Sequence, residues 1–220
     1  MSQAAVQVRP VCPDDEVALG QVAYQTGFFG DSAQRYFPDA ALFADLWVRP
    51  YLLGAGEACF VAVGPDQEVL GYVLGAPDPA RYRRALWRVV GTRILPRLRR
   101  PDRSFWAGLR HLVRLARFPG PHADARQYPA HLHLNLLSRA RGQGAGAALL
   151  SAHLEALRAL GVCGVQLSTT TENQAALRLY QRFGFQEAGR RVSPLWTPWL
   201  GHPAEHVVMV LALNPAAAPD

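Results

Sequence analysis

The residues whose types and spacing suit chemistry fall between His131 and Gly146, HLHLNLLSRARGQGAG. His131 and His133 stand two apart, and imidazole is the side chain best placed to take and return a proton near neutral pH. Arg141, Gly142, Gln143, Gly144, Ala145, Gly146 and Ala147 follow, with glycine at every other position, and run straight into AALLSAHLEALRAL, a strong helical pattern. A glycine-rich turn opening a helix is an anion site: the first N–H groups of a helix lack internal partners, its dipole adds positive potential, and glycines let a phosphate approach the backbone. Two common phosphate motifs do not fit. A P-loop needs lysine, and this chain has none, while a dinucleotide fingerprint needs G-x-G-x-x-G with an acid about 20 residues on. Gly142, Gly144 and Gly146 have a different spacing, and the following GVQLSTT supplies no acid. His-x-His with no carboxylate set beside it gives no reason to expect a metal.

These residues must be positioned by a strand, a turn and a helix in that order. His131, His133 and Asn135 alternate with Leu132, Leu134 and Leu136, the period of a strand, and the helix should run from about Gly144 to Leu160, stopped by Gly161. Upstream, Val6 to Pro10 reads as a short strand, and Pro13 to Thr26 as a helix stopped by Gly27. A second helix begins near Asp39, with Leu42, Phe43, Leu46 and Trp47 on one face, and Pro50 is expected to end it. Ala58 to Val63 and Glu68 to Pro77 form a hairpin around GPDQ, which the His131 strand extends into an antiparallel meander. Two helices are inserted before that third strand. One spans Pro79 to Leu95, interrupted by Gly91 and closed by Pro96. The other spans about Pro101 to Phe118, with Phe105, Leu109, Leu112 and Ala116 on one face and Arg103, Arg110, Arg114 and Arg117 on another. After the glycine turn come the buried strand GVQLSTT, a helix from Glu172 or Asn173 to Phe183 capped by Gly184, and strands at Phe185 to Val192 and Ala204 to Leu213, separated by the loop SPLWTPWLGHP.

The chain has 220 residues, half of them apolar, enough for one domain with a substantial core, here placed at 1–213 with the arginine-rich insertion at about 79–118 and a disordered tail at 214–220. With no apolar run near 18 residues and no signal peptide, a cytoplasmic protein with no stable membrane association is expected. Cys12, Cys59 and Cys163, odd in number and widely spaced, are expected as buried free thiols. The net charge of +6 is uneven: Arg81 to Arg117 holds twelve arginines and one acid, +11 in all, leaving −5 for the remainder. A solvated helix face accounts for that patch most simply, with an anionic acceptor site, or a site for an acidic partner, a membrane surface or nucleic acid, as alternatives. A nucleic-acid or membrane binder is the least expected of these because no aromatic stacking motif accompanies the arginines, and no nucleic-acid partner is expected.

The turn resembles the acetyl-CoA loop of the GCN5-related N-acetyltransferase (GNAT) superfamily, Arg or Gln, two residues, Gly, one residue, then Gly or Ala, which Arg141, Gly144 and Gly146 match. The superfamily's second motif, an Asn followed seven residues later by a Tyr and then by Gly-Phe, is matched by Asn173, Tyr180 and Gly184-Phe185, and the likeness covers roughly Val6 to Leu213. More narrowly, TGFFGDSA, DLWVRPYL and YPAHLHLNLL look like bacterial acetyltransferases related to the C-terminal domain of eukaryotic O-GlcNAcase, in which the position of Asn135 is often Asp.

The resemblance implies an α/β fold, a mixed, mostly antiparallel sheet of six to seven strands flanked by helices and splayed between strands 4 and 5. It also implies acetyl-CoA as co-substrate, with Gly142 to Ala147 on its pyrophosphate and Leu134, Asn135 and Leu136 pairing with its pantetheine arm. The Leu136 N–H would then face the thioester carbonyl, an oxyanion contact worth about 3 kcal/mol. Tyr180 is the candidate general acid, and Asn173 a helix cap with a cofactor contact. The base is open: related N-terminal acetyltransferases carry a Glu five residues before the motif Asn, where this chain has Ser168, which leaves His131 and His133 as candidates. The expected reaction is acetyl transfer to an amine, of a small molecule or a protein, in a ternary complex, with a homodimer possible in solution. The rival is a non-catalytic acyl-CoA-binding or regulatory module.

Overall fold

In the computed structural model, which describes residues 6–54 and 56–213, β-branched and leucine-rich segments form one seven-stranded sheet of order β1-β2-β3-β4-β5-β7-β6. In chain order the elements are β1 (Gln7–Pro10), α1 (Glu16–Thr26), α2 (Ala40–Trp47), α3 (Arg49–Gly54), β2 (Phe60–Val63), β3 (Val69–Ala76), α4 (Pro79–Val89), α5 (Arg103–Arg117), β4 (Ala130–Leu136), α6 (Ala145–Ala159), β5 (Gly164–Thr170), α7 (Gln174–Arg182), β6 (Gln186–Ser193), α8 (Thr197–Leu200) and β7 (Ala204–Ala212). Neighbouring strands are antiparallel except β4 and β5, so the mixed, mostly antiparallel sheet expected from the sequence is present.

Strand alternation sorts side chains onto the two faces. Val61 and Val63 of β2 with Tyr72 and Leu74 of β3 face one core, filled by Leu19, Phe37, Leu42, Tyr51 and Phe105 from α1, α2, α3, α5 and the loop before α2. Ala62 and Val73 face the other, with Leu149, Leu150, Leu154 and Leu157 of α6 and Tyr180 of α7. On β4, Leu132, Leu134 and Leu136 join this second core, which turns His131, His133 and Asn135 toward the first.

Four expectations need correction. Pro50 does not close the second helix: α2 stops at Trp47 and Pro50 sits in the first turn of α3, where its missing N–H breaks no internal bond. The helix expected from Pro79 to Leu95 is α-helical only to Val89, starting from Asp78, whose carboxylate accepts from the N–H of Ala80 and Arg81; Gly91 then lies in a π turn and Pro96 in a 3-10 turn ending at Arg99. SPLWTPWLGHP is partly helical, with a 3-10 turn at Pro194–Trp196 leading into α8. The cysteines are not uniformly buried: Cys59 is, Cys12 is half-buried and Cys163 is exposed. The expected tail at 214–220 lies outside the described residues.

Candidate active site

β4 and β5 pair through only Ala130–Val165 and His131–Gln166, although both strands continue for several residues. Beyond that point they diverge, and the gap is the floor of a cleft of about 760 Å³ lined from both strands, the glycine turn, α7 and an aromatic cluster.

At one end lies the turn. Gly142 and Gly144 take φ of 75° and 81°, a left-handed conformation that L side chains rarely adopt, and nothing lies within 4 Å of where their Cβ atoms would be. Gly144 is the N-cap of α6 and no side chain caps that helix end among the described residues, so its first N–H groups are open to an anion. Gly142, Gly144, Gly146 and Ala147 line the cleft. Ala145 is buried in the core behind them, and the Gln143 amide donates to Arg139 O (2.7 Å), fixing the turn from outside. Arg141 also works on protein: its guanidinium donates to Leu136 O (3.1 and 3.2 Å) and Gly30 O (2.6 Å), tying the turn to the end of β4 and to the loop after α1.

Along β4 the main chain divides its duties. The Leu137 N–H donates to Leu70 O (2.9 Å), in step with the β3–β4 register of Gly71 with Leu136 and Tyr72 with Asn135. Alternation therefore spends the peptide groups of Asn135 on β3 and turns those of Leu134 and Leu136 to the edge that β5 has left. Asn135 contributes its side chain instead, donating to Thr26 Oγ1 (2.6 Å) and Thr26 O (3.3 Å), which pins the end of α1 against the cleft.

The two strand histidines part company. His131 is not among the residues that line the cleft; it packs edge-on against Tyr82 and Tyr51, with ring centroids 4.8 and 5.5 Å away, and burial with neighbouring imidazoles lowers its pKa to about 3. His133 does line it, edge-on to Tyr51 at 5.5 Å, open to solvent on the cleft side yet walled closely enough that desolvation lowers its pKa to about 4. Tyr180 lines the cleft from α7, its ring 5.5 Å from Phe185 and buried, which raises its pKa above the usual phenol value. Asn173 caps α7, its side chain accepting from Ala176 N–H at 3.2 Å, and Ser168 and Glu172 are also lining residues.

Three lining groups escaped the sequence reading. His111 on α5 is 3% exposed, with ring centroids 4.5 Å from Tyr36 and 5.6 Å from Trp196, and burial lowers its pKa to about 4. Its Nδ1 has no hydrogen-bond partner among the described residues, nor have His206 Nε2 and Thr170 Oγ1, which belong to paired residues of β7 and β5. His111 carried one usable signal: it follows Phe105 and Gly108 on the apolar side of an arginine-rich helix. His206 and Thr170 carried none, being ordinary strand positions until the sheet is assembled.

Phe29, Tyr36, His111 and Trp196 line the far end. Phe29 has a φ of 51°, rare for a bulky side chain, and is held there by the two hydrogen bonds between Phe28 and Asp31. That conformation brings its ring to 5.3 Å from Trp196.

The fold has close parallels among solved structures. SsHAT superposes with a TM-score of 0.71 at 28% identity, over 96% of this chain and 100% of that one. The ribosomal-protein-S18-alanine N-acetyltransferase of Escherichia coli (TM-score 0.58, 16% identity, 98% of each chain) shares the fold at lower identity. So does yncA of Salmonella typhimurium, solved with its cofactor acetyl-CoA (TM-score 0.60, 17% identity, 99% of each chain). Over residues 23–185, which include β2 to β5, the glycine turn and α7, the sequence matches the model of the acetyltransferase (GNAT) family, and the chain belongs to that family.

Proposed function

We propose that this protein transfers an acetyl group from acetyl-CoA to an amine held in the same cleft. One observation carries the reading: a strand edge that β5 has left, with the Leu136 N–H still turned to the gap while Arg141 holds the Leu136 carbonyl, leads directly into an uncapped helix end behind open glycines. Acetyl-CoA supplies the activated acetyl thioester. The N–H groups of Gly142 to Ala147 hold its pyrophosphate, and the free edge of β4 at Leu134 and Leu136 takes the pantetheine arm as a sheet takes another strand. Asn173 closes the far side of that channel from the start of α7. The Leu136 N–H receives the negative charge that grows on the carbonyl oxygen as the amine nitrogen bonds to carbon. As the C–S bond breaks, Tyr180 gives its proton to the sulfur.

His133, uncharged at neutral pH, takes the proton lost by the amine nitrogen. Bonding to the carbonyl acidifies the amine nitrogen, so an imidazole removes that proton most readily after attack, with the acceptor entering as the free amine. Phe29, Tyr36 and Trp196 suit an acceptor whose amine is borne on an apolar or aromatic body, and Glu172 is the one carboxylate among the described lining residues. The aromatic walls favour amines carried on a flat, apolar body over lysine-like ones.

Calorimetric titration with acetyl-CoA, followed by thiol-release assays across aromatic, small aliphatic and peptide amines, tests the reading. No binding at millimolar acetyl-CoA overturns it. Tight binding with no turnover on any amine supports the second reading, a regulatory acyl-CoA-binding module.

A further inference from the structure

The arginine-rich segment has two sides. Three of its twelve arginines are built into the fold: Arg97 pairs with Asp39, Arg81 with Glu57, and Arg114 donates to the carbonyls of Pro194 and Leu195, fastening α5 to the turn before α8. Arg83, Arg84, Arg88, Arg103, Arg110 and Arg117 are exposed and make no ion pair among the described residues.

Large apolar side chains stand among them. Trp87 is 67% exposed, Trp106 49% and Val113 65%, and with Leu95 and Leu98 they make five of the nine exposed large hydrophobics among the described residues. On α5 the order Trp106, Arg110, Val113, Arg117 advances by four, three and four residues, one stripe along the helix, while Phe105, Gly108 and His111 are turned inward. On α4, Arg83 and Arg84 lie one turn before Trp87, and Arg88 follows it. Along α5 an indole, an aliphatic side chain and guanidinium groups interleave on one outward stripe, which matches the boundary of an anionic bilayer, where Trp settles at headgroup level and arginine meets lipid phosphate.

We propose that the outward stripe of α5 docks on an anionic membrane surface, lying in the interface without crossing it, with the exposed arginines of α4 adding to the positive charge of the segment. From the sequence no stable membrane association is expected, and a membrane surface stands as the least expected alternative for the arginines; composition cannot show that Trp106 and Val113 face outward with them. A nucleic acid would explain the arginines but not Val113, Leu95 and Leu98, which offer bases nothing to stack on. No helix among the described residues is long and apolar enough to span a bilayer, consistent with interfacial contact. Since the inner side of α5 carries His111 into the cleft, a docked protein would hold the aromatic end of its site close to the lipid.

Co-sedimentation of the protein with phosphatidylcholine vesicles, with and without phosphatidylglycerol, tests this at about 0.15 M salt. Binding to the anionic vesicles should exceed binding to neutral ones by about tenfold or more, with Trp emission shifting to shorter wavelength. Arg110→Gln with Arg117→Gln, and separately Trp106→Ser with Val113→Ser, should each weaken it by roughly tenfold. All four side chains are exposed, and none belongs to the site. Three results overturn the proposal: equal or no sedimentation with the two vesicle types, unchanged binding by the Trp106→Ser/Val113→Ser protein, or oligonucleotide binding tighter than vesicle binding.

Discussion

Burial raises the pKa of Tyr180, which makes its phenol a weaker acid in water but keeps it protonated at every working pH. A thiolate released in the same cleft is desolvated too and becomes a stronger base, so donor and recipient shift together. Tyr180→Phe keeps the ring that packs on Phe185 and removes the hydroxyl that carries the proton. It should lower kcat by about 100-fold while leaving the acetyl-CoA dissociation constant within experimental error, by steady-state kinetics beside calorimetry. An unchanged kcat removes the general-acid role. Asn173 and Tyr180 were readable in the sequence because two turns of helix fix their relation to the Gly-Phe that follows. His131 and His133 were harder to tell apart. Alternation gives the side of the sheet to which a residue points but not how far along the strand a cleft extends; Tyr51 packs against both rings, and it is Tyr82 that covers His131 alone.

Among the elements, the divergence of β4 from β5 is the feature on which the site depends, and Arg141 braces it. Its guanidinium holds Leu136 O at the end of β4 and Gly30 O beside the strained Phe29, so the cofactor turn and the aromatic end share one brace. Arg141→Ala should weaken acetyl-CoA and also raise the acceptor KM, by roughly tenfold each, because each lost charged hydrogen bond is worth about 1.5–3 kcal/mol before relaxation. An effect on acetyl-CoA alone would show that the two ends are not coupled through this side chain. A second junction joins α6 to the sheet. The His153 ring fits against Gly75 of β3, where a Cβ would stand 2.0 Å from Cε1, and the ring is fixed by a 2.7 Å hydrogen bond from Nδ1 to Ala58 O. Gly75→Ala should therefore destabilise the protein by about 1–3 kcal/mol, seen as a Tm lower by several degrees. The β2–β3–β4 meander was legible in the strand periods and the splay of β4 from β5 in the resemblance, but Gly75 gave no local hint of its role, since its neighbour is 78 positions away.

At the level of the whole molecule, several imidazoles are held uncharged by burial, and this sets how the protein meets acid. His153 is the clearest case: it is 0% exposed, its pKa is lowered from 6.5 to about 4, and Nε2, the atom a second proton would occupy, has no partner among the described residues. The unfolded chain binds that proton at an ordinary histidine pKa and the folded chain resists it. The stabilisation is therefore complete above pH 6.5 and is lost as the pH falls toward 4. At pH 5 the loss from this residue alone is about 2 kcal/mol. His111 and His131, also depressed, add to the slope in the same direction. Asp15, held near 2 by Arg9, acts only below its ordinary 3.8 and so leaves this window clear. Urea unfolding midpoints should then be flat from pH 8 to about 7 and fall steeply between about 6 and 4.5. His153→Met, which keeps a similar volume without a titrating group, should be less stable at pH 7 because Ala58 O loses its donor, yet show a shallower decline. A His153→Met decline as steep as the native one would place the acid sensitivity elsewhere, with His111 on α5 and His131 on β4 as the next groups to replace.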